Sequence, residues 1–375
     1  MTDHGWSRAR DSRTVTRRAI LQAALGMPFL PEVAGAIDRR SASIDQSLSS
    51  WRTCEVRVRV DLIGAAGPAR LWLPLALGRQ TFYQRTLSQT WTGNTTTVQL
   101  LGDPASGAPM LIADWPAGTP EPSLTLTLEI ATRPHRVSLT PTRPPAPERL
   151  DRYLQPTRLI PTTGIVRQTA QSIVRGHTTP LARARAIYEW VVENTFRNPV
   201  VEGCGLGDIR WMLETGALGG KCADLNALFV GLCRSIGLPA RDLYGLRVAA
   251  STDFKSLGRD GDVTTAQHCR AEVYAEGIGW IPVDPADVRK VVLEEEPNGS
   301  LQSEPAKRAR SLLFGGWEMN WVAFNDAHDV GLPGSRGDLL PYFMYPQAEI
   351  GGVRRNSLDA PQFRYSIAAA VMTPR

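Results

Sequence analysis

The chain has 375 residues, of which 42% are hydrophobic and 21% are charged. This balance is typical of a globular protein with about two or three domains. The formal net charge of +5 is modest, and no block of Lys and Arg interleaved with aromatic residues is present, so a nucleic-acid-binding function is not supported. No apolar run reaches the roughly 18–20 residues that a membrane helix needs, and we therefore expect a soluble protein.

The N-terminus has the architecture of an export signal. A basic segment ending in Arg17-Arg18 precedes a short apolar stretch from Ala19 to Leu30, and small residues follow up to Ala36. The apolar stretch is too short for a stable anchor. The paired arginines resemble the twin-arginine pattern, whose export machinery carries folded proteins across the bacterial inner membrane. We therefore expect residues 1–36 to be a signal peptide and the protein to be periplasmic or secreted; an N-terminal tail is the alternative.

The next segment has the pattern of β-strands. From Cys54 to Gly64 apolar and polar residues alternate, and further short apolar runs follow as far as Val137, separated by Gly, Pro and Asp. Several short strands at this spacing predict a β-sandwich or an open barrel over residues 50–140. The proline-rich residues 141–150 then predict a linker.

Helical periodicity appears after the linker. Thr179, followed by a proline, predicts a helix start. A second helix is predicted from Cys222, with an apolar stripe along one side and Gly237 at its end. Strand patterns follow, and we expect a catalytic domain over residues 151–300. Residues 301–375, which are rich in aromatics, are expected to form an extension that packs on this domain.

The cysteine content suggests one unpaired thiol. An odd number of cysteines in an exported protein leaves at least one thiol free, and the other four could form up to two disulfides in three pairings. No zinc-binding spacing is present, so we expect no structural metal site. The five cysteines are Cys54, Cys204, Cys222, Cys233 and Cys269.

Cys222 is the candidate nucleophile. A reactive thiol must be ionised, and the N-terminus of a helix lowers a thiol pKa through its free N–H groups and partial positive charge. Cys222 lies at such a start, behind two glycines that allow close approach of the backbone. Cys233 lies on the apolar stripe of the same helix and is expected to fill the core.

His268 is the candidate base. On a strand, His268, Arg270 and Glu272 share one face, which is therefore polar, whereas Cys269 lies on the opposite face and is expected to point inward. A polar face suits the wall of a cleft. An imidazole there could pair with the Cys222 thiolate.

Asp284 is the candidate orienting carboxylate. It follows His268 by sixteen residues, and a hairpin turn is expected at their midpoint, Glu276-Gly277. Such a turn would set Asp284 beside His268, whereas a slip of one residue in the pairing would place it on the other face. A carboxylate in this position holds the tautomer and orientation of an imidazole.

These motifs resemble the transglutaminase-like superfamily, whose core is a papain-like α/β fold. The resemblance spans residues 182–287 and consists of a Gly-x-Cys helix start, a Gly-Leu-Pro-Ala-Arg helix end, a His strand with Glu four residues on, and a Gly-Trp…Asp-Pro strand. The matched residues are Gly220, Cys222, Gly237, Pro239, Ala240, Arg241, His268, Glu272, Gly279, Trp280, Asp284 and Pro285. It implies an α+β protein with a papain-like transglutaminase core preceded by a β-sandwich-type domain.

The resemblance also implies a function. Cys222 would be the nucleophile, His268 the general base and acid, and Asp284 the orienting residue, in attack on a peptide or side-chain amide through a thioester. Water as acceptor gives an amidase or peptidase, and an amine gives a transglutaminase; no cofactor is implied. The alternatives are a catalytically idle exported binding or scaffold protein that keeps the fold, and a metal site formed by Cys222, His268 and Cys269.

Two further residues are candidates for substrate contact. The family commonly has an aromatic residue two positions after the histidine, and this chain has Arg270 there. A cation on the cleft wall would favour an acidic or carboxylate-bearing substrate; alternatively Arg270 pairs with Glu272 or a loop carboxylate. Trp280, on the returning strand, is the second candidate.

Overall fold

The computed structural model describes residues 51–142, 150–296 and 298–373. The predicted signal peptide over residues 1–36 and most of the predicted linker lie outside these residues. Within the described ranges, no helix combines the length and apolarity needed to cross a bilayer.

Within residues 51–142, seven strands confirm the strand pattern of this region. They are β1 (Arg52–Asp61), β2 (Ala69–Pro74), β3 (Gln84–Gly93), β4 (Thr97–Gly102), β5 (Pro109–Trp115), β6 (Ser123–Thr132) and β7 (His135–Arg136).

From residue 150 onwards the described chain contains both helices and strands. The helices are α1 (Ile165–Ile173), α2 (Pro180–Asn194), α3 (Ile209–Thr215), α4 (Cys222–Ser235), α5 (Pro285–Glu294) and α6 (Glu304–Leu312). The strands are β8 (Phe196–Arg197), β9 (Gly219–Gly220), β10 (Ala240–Arg247), β11 (Gly261–Asp262), β12 (Gln267–Ala275), β13 (Gly279–Val283), β14 (Gly316–Trp317), β15 (Trp321–Asn325), β16 (Gln347–Ile350), β17 (Val353–Arg354) and β18 (Arg364–Val371).

Strands β1 to β6 lie in two five-stranded antiparallel sheets, each of which also contains strands from later in the chain. One has the order β11-β18-β1-β6-β3 and the other β17-β16-β2-β5-β4. Alternate residues of β1, such as Val56 and Val58, are buried with Leu71 and Leu73 of β2 in one apolar cluster. The inner faces of the two sheets therefore pack against each other, as in a β-sandwich.

The helical part packs on a four-stranded sheet of order β13-β12-β10-β15. The apolar residues of α4 that follow its first turn share a buried cluster with α2, α5, β12 and β13, and Cys233 lies in this cluster as expected. The side chain of Thr179 caps α2 by accepting a hydrogen bond from Ala182 N, at 3.2 Å. The predicted α+β class is confirmed.

The C-terminal segment joins both parts of the fold. β15 adds to the four-stranded sheet beside β10, whereas β16 pairs with β2 and β18 pairs with β1 along eight residue pairs. The sequence pattern predicted only that the tail packs on the catalytic domain. Register with distant strands is a long-range choice that a local strand pattern does not specify.

The hairpin of β12 and β13 differs in register from the expected one. Ala275 pairs with Gly279, so the turn is centred on Gly277, whose φ of +82° favours glycine. The last pair is Ala271 with Val283, and Asp284 therefore lies diagonally to His268 rather than directly opposite. This is a two-position change in pairing, which preserves the alternation of faces.

Gly245 links the sheet to His268 and provides a test of this packing. It pairs with His268, and a Cβ at this position would overlap the carbonyl oxygen of Val322 and lie 2.8 Å from the Trp321 ring. Trp321 Nε1 in turn donates to the carbonyl oxygen of His268, at 2.9 Å. We expect Gly245→Ala to lower the free energy of unfolding by about 1–3 kcal/mol, because β15 must move to relieve the overlap.

Urea unfolding of the variant measures this loss. Gly78→Ala is the matched control, because a Cβ at Gly78 meets no atom within 4 Å. Its stability should stay within about 0.5 kcal/mol of the parent protein. Equal stability of the two variants would show that the close approach at Gly245 is not a constraint.

Candidate active site

The carboxylate of Asp224 organises the first turn of α4. Cys222 is the first residue of this helix, and Asp224 accepts backbone N–H bonds from Lys221 at 2.9 Å, Leu206 at 3.0 Å and Gly207 at 2.9 Å. These bonds attach the preceding loop to the helix start and leave the helix dipole directed at the thiol.

Close packing explains the glycines around this turn. A Cβ at Gly220 would lie 2.5 Å from the Cβ of Asp224, and one at Gly205 would overlap its carboxylate. A Cβ at Gly219 would overlap the ring of Phe196. Gly220 and Gly205 are therefore required by contacts that position Asp224, and through it the helix start, whereas Gly219 leaves room for the Phe196 ring.

His268 is held by two carboxylates. Its Nε2 lies 2.7 Å from Asp284 Oδ2 and 3.4 Å from Asp287 Oδ2. With Nε2 so engaged, Nδ1 is the ring nitrogen available to the Cys222 thiol, whose pKa His268 lowers. All four side chains are buried, with Cys222 and His268 each 3% exposed.

The charges around the imidazole favour its protonated form. Burial and Arg247 oppose protonation, but Asp287 and Asp284 outweigh them and raise the pKa of His268 to about 9. Burial and the proximity of Asp287 raise the pKa of Asp284, whereas Arg247 and His268 overcome burial and hold the pKa of Asp287 well below its ordinary value. At neutral pH the imidazole is therefore an imidazolium.

Three thiols meet at the site, which the sequence did not predict. The neighbouring thiols of Cys204 and Cys269, with a further contribution from His268, hold the pKa of the Cys222 thiol well below its ordinary value. The hydrogen bond to Cys222, together with burial, raises the pKa of Cys204, and burial raises that of Cys269. Cys222 is thus the thiol of this group that ionises first. All five cysteines are free thiols in this structure.

Asn226 connects α4 to both other elements of the site. It is fully buried, and its Nδ2 donates to the carbonyl oxygen of Cys269 at 2.9 Å and to Asp284 Oδ1 at 3.3 Å. It lies one helical turn after Cys222. An amide in a largely apolar helix was the available sequence signal, since a buried amide needs partners.

Arg247 and Asp287 are further members that sequence reasoning missed. Arg247 NH2 contacts Asp287 Oδ1 at 2.6 Å, and NH1 donates to the carbonyl oxygen of Leu257 at 2.6 Å. His268, Asp284 and Asp287 have ligand atoms within 4.8 Å of one another, close enough to share a cation. The guanidinium of Arg247 already supplies a positive charge to this set.

Cys222 and His268 open on one cleft. Its volume is about 620 Å³, within the range of ligand-binding pockets, and Cys204, Arg247 and Gln267 are among its other lining residues. The backbone N–H of Cys222 has no hydrogen-bond acceptor among the described residues, as expected at the first position of a helix.

Arg270 lies elsewhere than expected. Both faces of β12 are buried, and Arg270 is only 3% exposed. Its guanidinium lies 5.0 Å from the Trp321 ring centroid, donates to the carbonyl oxygen of Glu318 at 3.1 Å, and approaches Asp284 to 3.8 Å. The Trp321 side chain, from the edge strand β15 of the same sheet, and the segment before β15 cover this face, and Arg270 is not among the residues that line the Cys222 cleft. Burial lowers its pKa to about 10, and it remains charged at neutral pH.

Trp280 and Glu272 also lie outside the cleft lining. The Trp280 ring packs under Arg241, with the guanidinium 4.1 Å from its centroid, and makes an edge contact with Tyr153. Arg241 also forms an ion pair with Glu272 at 2.5 Å. These motif residues support the sheet, and Trp280 is not among the residues that line the Cys222 cleft.

The contacts of His268 predict a change in pH dependence. Asp284→Asn removes a carboxylate that raises the imidazole pKa, so the pKa of His268 should fall from about 9 by roughly one unit or more. The imidazolium that favours the thiolate is then lost at lower pH. In the parent protein we expect the rate of Cys222 alkylation by iodoacetamide to be nearly independent of pH up to about pH 9, where the imidazolium loses its proton. In the variant the rate should begin to change at a lower pH, because the imidazolium loses its proton there.

Stability gives a second measurement of the same coupling. Because folding raises the pKa of His268 above its ordinary 6.5, this interaction stabilises the fold fully below about pH 6.5 and is lost as the pH rises through about 9. The stability gap between the parent protein and Asp284→Asn should narrow over that interval. Asp61→Asn, on the outer strand surface, is the control. An unchanged alkylation profile in Asp284→Asn would contradict the assignment.

Comparisons with known proteins place this site in a family. The profile of the transglutaminase-like superfamily matches residues 167–285. An uncharacterized protein of Haemophilus influenzae is 36% identical over 322 residues, which cover 80% of this chain and 86% of that protein.

One solved structure shares the fold, and another is more distantly similar. A candidate cysteine protease from Cytophaga hutchinsonii is similar with a TM-score of 0.53 and 14% identity, over 88% of this chain and 93% of that one. The periplasmic domain of TgpA from Pseudomonas aeruginosa is also similar, with a TM-score of 0.34 and 15% identity, over 70% of this chain and 98% of that one. Because the superfamily profile matches and the Haemophilus influenzae relative is similar over most of the chain, the chain belongs to the transglutaminase-like superfamily.

Proposed function

We propose that this protein is a thiol-dependent enzyme that transfers or hydrolyses the acyl group of an amide in a peptide or protein. The observation that carries the proposal is the opening of Cys222 and His268 on one cleft, with His268 Nε2 bonded to Asp284 at 2.7 Å. A similar solved structure is a candidate cysteine protease, in keeping with this reaction class.

The reaction follows from the charges of the pair. The Cys222 thiolate attacks the amide carbon, and the resulting oxyanion accepts a hydrogen bond from the free backbone N–H of Cys222. The His268 imidazolium gives its proton from Nδ1 to the departing amine, which leaves a thioester. His268, now neutral, removes a proton from the incoming acceptor, and attack of that acceptor releases Cys222.

Asp284 and Asn226 maintain the geometry of these steps. Asp284 accepts from Nε2 and keeps Nδ1 directed at the sulfur, and Asn226 holds the other oxygen of Asp284. Water as acceptor gives hydrolysis, and a primary amine gives transamidation. Both follow from the same thioester, so the acceptor is the variable to test.

Thiol labelling tests the nucleophile. At pH 6 an ordinary thiol is almost wholly protonated, and we expect iodoacetamide to alkylate Cys222 at least about tenfold faster than a cysteine peptide. Peptide mapping provides an internal control, because burial raises the pKa of Cys54 and Cys233, which should stay unlabelled in the folded protein. If Cys222 reacts no faster than the peptide, the protein is an idle scaffold with this fold.

Turnover is measured with dimethylated casein as the probe. Wild-type protein and Cys222→Ala are incubated with it in water alone or with a fluorescent primary amine. New amino termini or released ammonia indicate hydrolysis, and bound fluorescence indicates transamidation. We expect Cys222→Ala to lose either activity by about a thousandfold or more, since the thioester cannot form.

We also propose export by the twin-arginine route, on the sequence pattern around Arg17-Arg18. Replacement of both residues by Lys keeps the charge but removes the receptor-read pair, and the protein should then accumulate in the cytoplasm. Fractionation with immunodetection measures this. Unchanged delivery to the periplasm would refute the twin-arginine route.

A further inference from the structure

The cleft around Cys222 is strongly basic. Its lining contains six cationic side chains and only two carboxylates, Glu202 and Glu294. The cationic residues are Arg197, Lys221, Arg247, Lys255, Arg259 and Lys290. The excess of cationic over anionic side chains in this lining is larger than the modest net charge of the chain would suggest, and it is concentrated in a concave surface.

Three of these cations have carboxylate partners. Arg247 is paired with Asp287 at 2.6 Å. Arg197 and Lys290 share Glu294, each at 3.7 Å. Two cations thus divide one carboxylate, and their charge is only partly compensated.

The other three cations, Lys221, Lys255 and Arg259, have no carboxylate within 4.0 Å in the parts of the chain that the structure describes. Lys221 directly precedes Cys222, and its side chain is partly exposed. Lys255 and Arg259 are exposed on the facing loop, where Arg259 NH2 donates to Thr265 Oγ1 at 2.7 Å. Three cations that line the same cleft as the thiol therefore have no ion-pair partner within 4.0 Å among the described residues.

We propose, on the basis of the proposed acyl-transfer function, that the cleft selects peptides carrying carboxylates close to the amide that reacts. Uncompensated cations in a concave surface raise the local concentration of anions and disfavour cations. A carboxylate bound there meets Lys or Arg donors without displacing an existing ion pair. Arg270, the cation expected from the sequence to have this role, is buried behind His268 and takes no part.

Two small alkylating agents test the charge of the cleft without any substrate. Iodoacetate and iodoacetamide have the same reactive carbon and differ in charge. The ratio of their rates at Cys222, divided by the ratio for 2-mercaptoethanol, reports the local potential. We expect a normalised ratio above one that falls as salt is added, because mobile ions screen the field.

Variants locate the effect. The double variant Lys255→Gln, Arg259→Gln should lower the normalised ratio about two- to fivefold, because two positive charges are lost from the cleft lining. Lys307→Gln removes one charge from the exposed face of α6 and should leave the ratio unchanged. A ratio of one or less, or equal ratios in the double variant and the parent protein, would overturn the proposal.

Three matched glutamine peptides then test selection, with Asp, Asn or Lys on both sides of the glutamine. A fourth peptide has neutral neighbours and a free α-carboxylate two residues on, which separates acidic side chains from chain ends as the source of the anion. We expect kcat/KM to be highest for a carboxylate-bearing peptide and lowest for the Lys peptide. The differences in kcat/KM between the peptides should be smaller in the double variant. Equal values for the Asp, Asn and Lys peptides refute the proposal.

Failure of this inference and failure of the proposed function give different results. If Cys222 is alkylated rapidly at pH 6 but shows no preference for iodoacetate, the enzyme assignment stands and the charge selection is refuted. If Cys222 is not activated, the labelling test of the proposed function fails first, whatever the charge of the reagent.

Discussion

The site depends on a balance of buried charges. With Asp284 and Asp287 ionised, the positive charges of Arg247 and Arg270 match them when Cys222 and His268 are both neutral. Transfer of the thiol proton to the imidazole adds one negative and one positive charge, so the cluster remains neutral. Burying a net charge is costly, whereas moving a proton within a neutral cluster is not subject to that cost. The protein can therefore hold an anionic sulfur in a buried position.

The helix α4 connects the active site to both parts of the fold. Its first residues, including Cys222, belong to the apolar cluster of the β-sandwich, and the following turns belong to the cluster of the helical part. The thiol thus lies where two hydrophobic cores meet. Asn226 and Asp224 fix the helix to β12 and to the loop before it. Rigid elements on both sides are the arrangement that catalysis through precise geometry requires.

Local patterns predicted a large part of this arrangement. The helix start at Cys222 and the strand alternation at His268 are short-range signals, and they sufficed to name residues that the structure brings together. The turn at Gly277 shows why the face on which a residue lies was predicted more reliably than its pairing partner. A change of two positions in the pairing leaves each residue on the same face of the sheet. The α+β class and the strand-rich N-terminal part followed from the same periodicities.

Long-range contacts limited the rest. Cys204 and Arg247 reach the site from a loop and a neighbouring strand, and neither has a local pattern that marks its destination. Arg270 was placed on the correct face, but the covering of that face by Trp321 comes from a strand some fifty residues away in the chain and could not be read locally.

The pairing of β18 with β1 has a consequence for biosynthesis. β1 is flanked by β6 and β18, so one of its edges finds its partner only when β18 has left the ribosome. Contacts between segments far apart in the sequence are slow to form, and an unpaired edge is a site for aggregation in the nascent chain. Folding of the β-sandwich is therefore completed only after β18 has been synthesised, and premature termination before Arg364 leaves β1 open.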